Sequence, residues 1–492
     1  MVCKTVGFCQ RCTILLFAFL AVVCLLAGIG RAQQGPSSPT GTATVTVSSP
    51  LQALSPSDPL LGSVPEDKLD PNPIQLTILD ALNRGLRRNL GLLLADQNTR
   101  AAQGRRWTEL SHLLPYVGLA LQEGAEQINL TVEGFPARLS PTGNAILGPF
   151  MIFAVGPTLH ENLNLKDFNT WKAARENIKA AGLSYRSTRD LVVLVVGAAY
   201  LQAQTNAARV ESVQAQVQTA QALYDQARDL RRVGMAPGID VLRAQVELEA
   251  EQQRLVVAQN DYEKQLLTLA RVIGLASGQK FVLADKIPAP APLDLSLEQA
   301  LQKAYDNRAD YQRAQSQVRS AELLKRAAQG EAMPSIGING NYSVTGNTPG
   351  NSHGTFAAAA SLELPVFQGG KVRGDVLQAD ARLQQARSEF EDLRARIDYE
   401  VRTAFLDVNA ANKQLEVATS ALGLARQQVG QSRDRFAYGV TNTVEVIQAQ
   451  QAQATAEENY IAGMFAGNFA KLALARALGV AEEATKKFLG GK

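Results

Sequence analysis

One stretch of this sequence occurs twice, and the repeat constrains the chain more than any local motif. Its first copy is Arg231-Arg232-Val233-Gly234-Met235-Ala236-Pro237-Gly238-Ile239-Asp240-Val241-Leu242. Its second is Arg435-Phe436-Ala437-Tyr438-Gly439-Val440-Thr441-Asn442-Thr443-Val444-Glu445-Val446-Ile447. Each reads as a basic residue, a glycine, a short loop, an acid and an apolar pair, and each interrupts a long helical pattern. Glycine suits a helix end because it tolerates positive φ. An acid suits the next helix start, where the dipole is positive. Each copy is therefore predicted to be the tip of an antiparallel helical hairpin.

The repeat extends well past the tips. An offset of 205 pairs Gly234 with Gly439, Asp240 with Glu445, Ala199-Tyr200 with Ala404-Phe405 and Gly274 with Gly479. Nearer the N-terminus the offset is 219, pairing Pro115 with Pro334 and Val117-Gly118 with Ile336-Gly337. The difference of 14 residues is extra chain in the first copy, between about Gly118 and Trp171. A long internal period means one architecture built twice.

The segments between the tips have two periods. From about Phe168 to Val233 there is no proline, and apolar or small residues recur at Val210, Val213, Val217, Ala220, Tyr224, Ala227 and Leu230. Leu383, Ala386, Phe390, Leu393, Ile397, Val401 and Ala404 repeat the pattern. Such spacing predicts coiled-coil-like helices roughly 100 Å long. The returning arms, Met235 to Ile273 and Val440 to Leu478, are much shorter. Helices near 76–112 and 296–330 supply the missing length, so two shorter helices should stack end to end beside each long one. Thr77 is a candidate cap for the first of these.

Between the helices the period changes to two. Ile336, Ile338, Tyr342 and Val344 alternate with Gly337, Asn339, Asn341, Ser343 and Thr345. Phe356, Ala358, Ala360, Leu362 and Leu364 alternate with Ala357, Ala359, Ser361 and Glu363. The first copy matches at Val117, Leu119 and Leu121, but its return strand near Phe150 to Leu159 alternates poorly. Strands of about ten residues with one apolar face fit a transmembrane β-barrel. They also fit a half-buried soluble hairpin.

The chain divides as follows. Residues 1–32 read as a secretory signal, 33–73 as a disordered Pro/Ser/Thr-rich lead-in, and 74–280 as the first repeat. Residues 281–293 are a Pro-rich linker, 294–480 the second repeat and 481–492 a short tail. All four cysteines, Cys3, Cys9, Cys12 and Cys24, fall in the signal, so the mature chain has no disulfide or thiolate metal site. Without Lys4, Arg11 and Arg31 the 49 basic residues become 46, equal to the 46 acidic ones, which offers nothing to nucleic acid. The run Leu191 to Leu201 is too short to span a bilayer as a helix.

Catalytic chemistry is missing from the pattern. His112, His160 and His353 stand apart at no metal-ligand spacing, and no phosphate loop, dinucleotide fingerprint or nucleophile elbow occurs. Asp240 and Glu445 read as helix-start acids or as a ring of charge at a pore mouth. The chain is expected to be no enzyme and to use no cofactor.

With these features in place, the chain resembles the TolC-type outer-membrane efflux family. The resemblance rests on Arg435-Phe436-x-x-Gly439-x-x-x-x-Val444-Glu445-Val446-Ile447-x-Ala449-Gln450, on Leu364-Pro365-Val366-Phe367-Gln368-Gly369-Gly370, and on Ala475-Arg476-Ala477-Leu478-Gly479. It covers about residues 74–480. It implies a mainly α protein with a transmembrane β-barrel: a homotrimer in which each chain gives four strands to a twelve-stranded barrel and its helices to a periplasmic α-barrel. It implies an outer-membrane channel of a tripartite efflux pump or type I secretion system, with a periplasmic adaptor, an inner-membrane pump and outer-membrane lipid as partners. On that resemblance Asp240, Thr441, Glu445 and Gln448 lie at the periplasmic gate. Val233, Gly234, Val241, Leu242, Phe436, Tyr438, Gly439 and Val446 form the tips that dock the adaptor. Two positions depart from the family pattern: Gln448 replaces a second acid one turn after Glu445, and Thr441 replaces an arginine that could pair with Asp240. The alternative from another class is a periplasmic coiled-coil adaptor or scaffold.

Overall fold

Polar side chains set where several of the helices begin. Thr77, Asn164, Ser296 and Asn442 accept hydrogen bonds from backbone N–H groups of the first turn that follows. At Ser296 the bond is reciprocal, because Gln299 reaches back to the Ser296 N–H. The computed structural model describes residue 55 and residues 57–65, 69–139, 143–285, 295–348 and 350–488. The signal, most of the lead-in and the Pro-rich centre of the linker lie outside the described residues.

In chain order the elements are β1 (Ile74–Leu76), α1 (Ile78–Arg88), α2 (Leu90–Ser111), β2 (Tyr116–Asn129), β3 (Ile146–Leu163), α3 (Leu165–Arg232) and α4 (Gly238–Ile273). Then follow β4 (Phe281–Leu283), α5 (Leu297–Asn307), α6 (Ala309–Gly330), β5 (Ser335–Thr348), β6 (Asn351–Glu363), α7 (Lys371–Ala437), α8 (Thr443–Ala477) and α9 (Ala481–Phe488). Helices α3 and α7 have 68 and 67 residues, about 100 Å each. Helix α3 packs on α4 toward its tip and on α2 and α6 toward the strands, while α7 packs on α6 and then α8. The end-to-end stacking of short helices beside long ones is thus present. The segment expected as linker opens with β4, which pairs in parallel with β1, and the expected tail carries α9.

The helix expected to run unbroken from Leu76 toward His112 is two helices. The break falls at Asn89, whose side chain accepts from the Gly91 N–H at 3.0 Å and donates to the Leu60 carbonyl at 2.7 Å. The second copy breaks at Arg308, the residue 219 positions later, with nearly the same backbone angles. Beside each break sits a left-handed glycine, Gly274 (φ 73°) and Gly479 (φ 71°). A Cβ on Gly479 would lie 2.9 Å from the Arg308 backbone, so the close approach itself requires glycine. The Leu191–Leu201 run is the buried centre of this region. Val192, Val193, Val196 and Tyr200 pack with Leu76, Leu269, Ile273 and Leu472. The Tyr200 hydroxyl sits 3.0 Å from the Leu76 carbonyl and 3.1 Å from Asp285 Oδ2, tying α3 to both β1 and the end of β4.

The other four described strands form one antiparallel sheet in the order β2-β3-β5-β6. Directly opposed residues share a face. The register Leu119–Pro157, Leu159–Gly340 and Gly340–Ala358 therefore gathers Leu119, Leu121, Val155, Leu159, Ile336, Ile338, Tyr342, Val344, Phe356 and Leu362 on one face. Gln122, Thr158, His160, Asn339, Asn341, Ser343, Thr345 and Thr355 fall on the other. The poor alternation of β3 is real. It carries Gly156-Pro157, at which the ladder to β5 is interrupted and the Tyr342 carbonyl approaches where a Cβ would stand. The extra chain of the first copy falls between β2 and β3, which end at Asn129 and resume at Ile146, whereas β5 ends at Thr348 and β6 begins at Asn351. Both faces of the sheet are largely exposed, Leu119 by 79% and Phe356 by 82%, and β2 and β6 are unpaired edges.

Candidate functional site: the paired tips of the helical hairpins

The two tips turn in the same way. Val233 and Tyr438 close α3 and α7, and Gly234 (φ 79°) and Gly439 (φ 71°) follow in the left-handed region. The Gly234 N–H donates to Arg231 O and the Met235 N–H to Leu230 O, at 3.0 and 2.8 Å. The Gly439 and Val440 N–H groups repeat this on Phe436 O and Arg435 O at the same two distances. This is the double bond pattern of a Schellman motif, which satisfies the last carbonyls of each long helix.

The return turns differ. Asn442 accepts from the Val444 and Glu445 N–H groups at 3.1 and 3.3 Å, whereas Pro237 at the equivalent place has no side-chain cap. Asp240 then stands in the first turn of α4, buried to 6% exposure, with Arg243 Nη1 at 3.4 Å. Glu445 stands in the first turn of α8, only partly covered, with Arg435 Nε at 3.5 Å and the Thr441 hydroxyl donating to Oε2. Thr441 is therefore a partner of Glu445. Gln448 is exposed on the next turn of α8.

The remaining tip residues divide by burial. Val233, Gly234, Leu242, Tyr438 and Gly439 are exposed, Tyr438 by 84%. Val241, Phe436 and Val446 are buried and meet Leu223, Ala227 and Ala244 in one apolar cluster that joins the two hairpins. These three hold the tips together and present little surface of their own. The partners Arg243 and Arg435 are what sequence reasoning missed. Arg243 had a readable signal, three residues after Asp240 on one helix. Arg435 had none, because it meets Glu445 only across the folded turn.

Further along, α3 and α8 are coupled by polar contacts that no periodicity reveals. Arg209 forms an ion pair with Glu458. Glu457 Oε2 accepts from the Ser212 hydroxyl at 2.6 Å and lies 3.5 Å, through Oε1, from Arg426 on α7. Burial opposes ionisation of Glu457, but bonds from Ser212, Gln453 and Gln216 with the Arg426 charge hold its carboxyl below the usual range. Among the described residues no group of three or more His, Cys, Asp or Glu side chains is placed to hold a metal ion.

Long helical hairpins joined at their tips, carrying at the other end a sheet with one apolar face and two open edges, define a channel-forming outer-membrane architecture. The sequence signature of the outer membrane efflux protein family matches residues 82–275 and 300–480, and the chain belongs to that family. It is 22% identical to the outer membrane protein TolC of Escherichia coli over 335 residues, 63% of this chain and 67% of that one. It is 23% identical to the toluene efflux pump outer membrane protein TtgF of Pseudomonas putida over 421 residues, 80% of this chain and 81% of the relative. The fold matches that of the Campylobacter jejuni CmeC outer membrane channel with a TM-score of 0.71 at 16% identity, over 87% of this chain and 94% of the other.

Proposed function

We propose that this chain is one of three identical protomers of an outer-membrane efflux channel, open to the exterior through its strands and to an adaptor and inner-membrane pump through its tips. The observation that carries this reading is the four-stranded sheet. Four strands with two free edges and an apolar face cannot stand alone in lipid, because every edge group must be paired there. Copies joined edge to edge close a barrel, apolar side out and polar side in, and three copies give the twelve strands the family resemblance implies. The same closure wraps the long helices into a tunnel continuous with the barrel. An adaptor or scaffold has no use for such a sheet.

The tips lie at the end of the tunnel farthest from the strands. The exposed Val233, Leu242 and Tyr438, with the turns at Gly234 and Gly439, are the surface offered to an adaptor. Of the two acids, Glu445 is the one open to water, so the charge of the mouth rests chiefly on three copies of Glu445, with Gln448 and Thr441 beside it. Asp240 is covered and balanced by Arg243. The topology is tested at Gly350, in the turn between β5 and β6. A tag inserted there should be labelled on intact cells. Labelling only after permeabilisation rejects the orientation.

A further inference from the structure

The two most exposed large apolar side chains among the described residues are neighbours. Val366 is 92% exposed and Phe367 87%. They lie between β6 and α7, in the turn Leu364-Pro365-Val366-Phe367-Gln368-Gly369-Gly370. Gly369 (φ 59°) and Gly370 (φ 86°) adopt a left-handed backbone that fixes how the turn projects. Leu362 and Leu364, 72% and 58% exposed, carry the apolar row of β6 directly into it. Behind it stands a polar clamp. Lys371 and Lys166, which are 205 residues apart and so occupy equivalent places in the two repeats, both grip Glu331 at 2.7 and 2.5 Å. Hydrogen bonds from these two lysines hold the Glu331 carboxyl far down, at about 2. The chain's only two tryptophans, Trp107 and Trp171, sit within two turns of the same junction between helices and strands.

From this arrangement we infer that the Leu364–Gly370 turn is a wedge seated in the periplasmic leaflet of the outer membrane, with glycerophospholipid as its partner. The inference rests on the barrel reading above, because it takes the apolar row of β6 as the lipid face and follows that row past the last paired residue. A turn at that depth meets the zone where acyl chains give way to headgroups. Aromatic rings and amphipathic lysines are favoured there, and a lysine can bury its stem while its ammonium stays among phosphates. Lys371 also lies 3.4 Å from Asp375, so the two lysines of the flank are balanced by Glu331 and Asp375, and the hold on lipid comes from the apolar tip. The apolar tip fixes depth, and the clamp fixes the turn against the helices that bear the channel's load.

The test is tryptophan quenching in proteoliposomes. Phe367→Trp is made in a chain whose Trp107 and Trp171 are phenylalanine, and Phe356→Trp, mid-strand on the apolar face, serves as the companion. Phospholipids brominated near the headgroup should extinguish most of the emission from position 367. Lipids brominated near the chain end should act mainly at position 356. Quenching at 356 with blue, unquenched emission at 367 means a neighbouring copy covers the turn, and red, unquenched emission means water does; either result overturns the wedge and leaves the barrel standing. No quenching at 356 overturns the barrel reading and the wedge with it. If the tryptophan chain does not assemble, a nitroxide on Val366→Cys gives the same answer by its accessibility to oxygen against a water-soluble relaxant, since no cysteine lies beyond Cys24.

Discussion

At Glu445, capping and charge can be separated. The side chain sits where a helix start favours an acid, and it is also the acid of the tip open to water. Glu445→Gln keeps the size of the group and a carbonyl oxygen for the Thr441 hydroxyl, but removes the negative charge facing Arg435. The expected outcome is a stable protein whose single-channel cation selectivity and divalent-ion block are reduced. Unchanged conductance properties would mean that the acid serves only the helix. Gly439 makes the opposite case, since nothing lies within 4 Å of where a Cβ would be. Space is free there but the backbone is left-handed, so Gly439→Val costs ~1–2 kcal/mol through conformation alone. It should bend the exposed turn and abolish export while native assemblies persist on gels. These two residues also show what a sequence can and cannot reveal. The glycine and the acid were legible because local backbone rules demand them. The pairing with Arg435 was not, because it depends on how the turn closes.

Among the elements, the most informative junction is where α3, α6, α7, α8 and α9 meet. Arg308, 3% exposed, pairs with Asp310 and Glu400 at 2.6 Å each, and Arg476 also reaches Glu400 at 2.7 Å. Arg189 holds Glu482 of α9 at 2.6 Å. Asp190 lies among these groups, and burial, with Glu482 and Asp310 adding repulsion, raises its carboxyl to about 6 despite the nearby Arg476 and Arg189. A folded value above the unfolded 3.8 means that the folded state binds this proton more tightly. The stabilising contribution is therefore full below the unfolded value and is lost as pH rises through about 6. Asp190→Asn should melt higher than the parent at pH ~8, by about 1–2 kcal/mol after allowing for solvent screening, and the gain should vanish by pH ~4. A gain that stays constant across this range would remove Asp190 as its source. Helix periodicity runs through Asn89 and Arg308 without a sign of the breaks, so this junction was hidden from sequence. Asn89 had a capping signal, but Arg308 acts through charges brought in from α7. The strands were readable where the pleat alternates cleanly, in β5 and β6. They were obscured in β3, where Met151-Ile152-Phe153 puts large apolar groups on both faces and Gly156-Pro157 breaks the ladder.

The whole molecule turns on closure. A single chain leaves Leu119, Leu121, Phe356 and Leu362 exposed on a sheet whose edges β2 and β6 have no partner. The internal repeat makes the proposed closure regular, because two similar hairpin-and-strand units per chain would give six around a ring of three copies. The architecture was legible from the doubled tip, the switch from helical to alternating period and the 14-residue difference now placed in the β2–β3 turn. The number of copies is the step that neither the sequence nor one chain contains. It is measured most directly by the native mass of the folded protein extracted from outer membranes in mild detergent, with the detergent contribution subtracted. The account predicts the mass of three chains, collapsing to one on boiling. A folded species with the mass of a single chain would contradict it, because one four-stranded sheet cannot close.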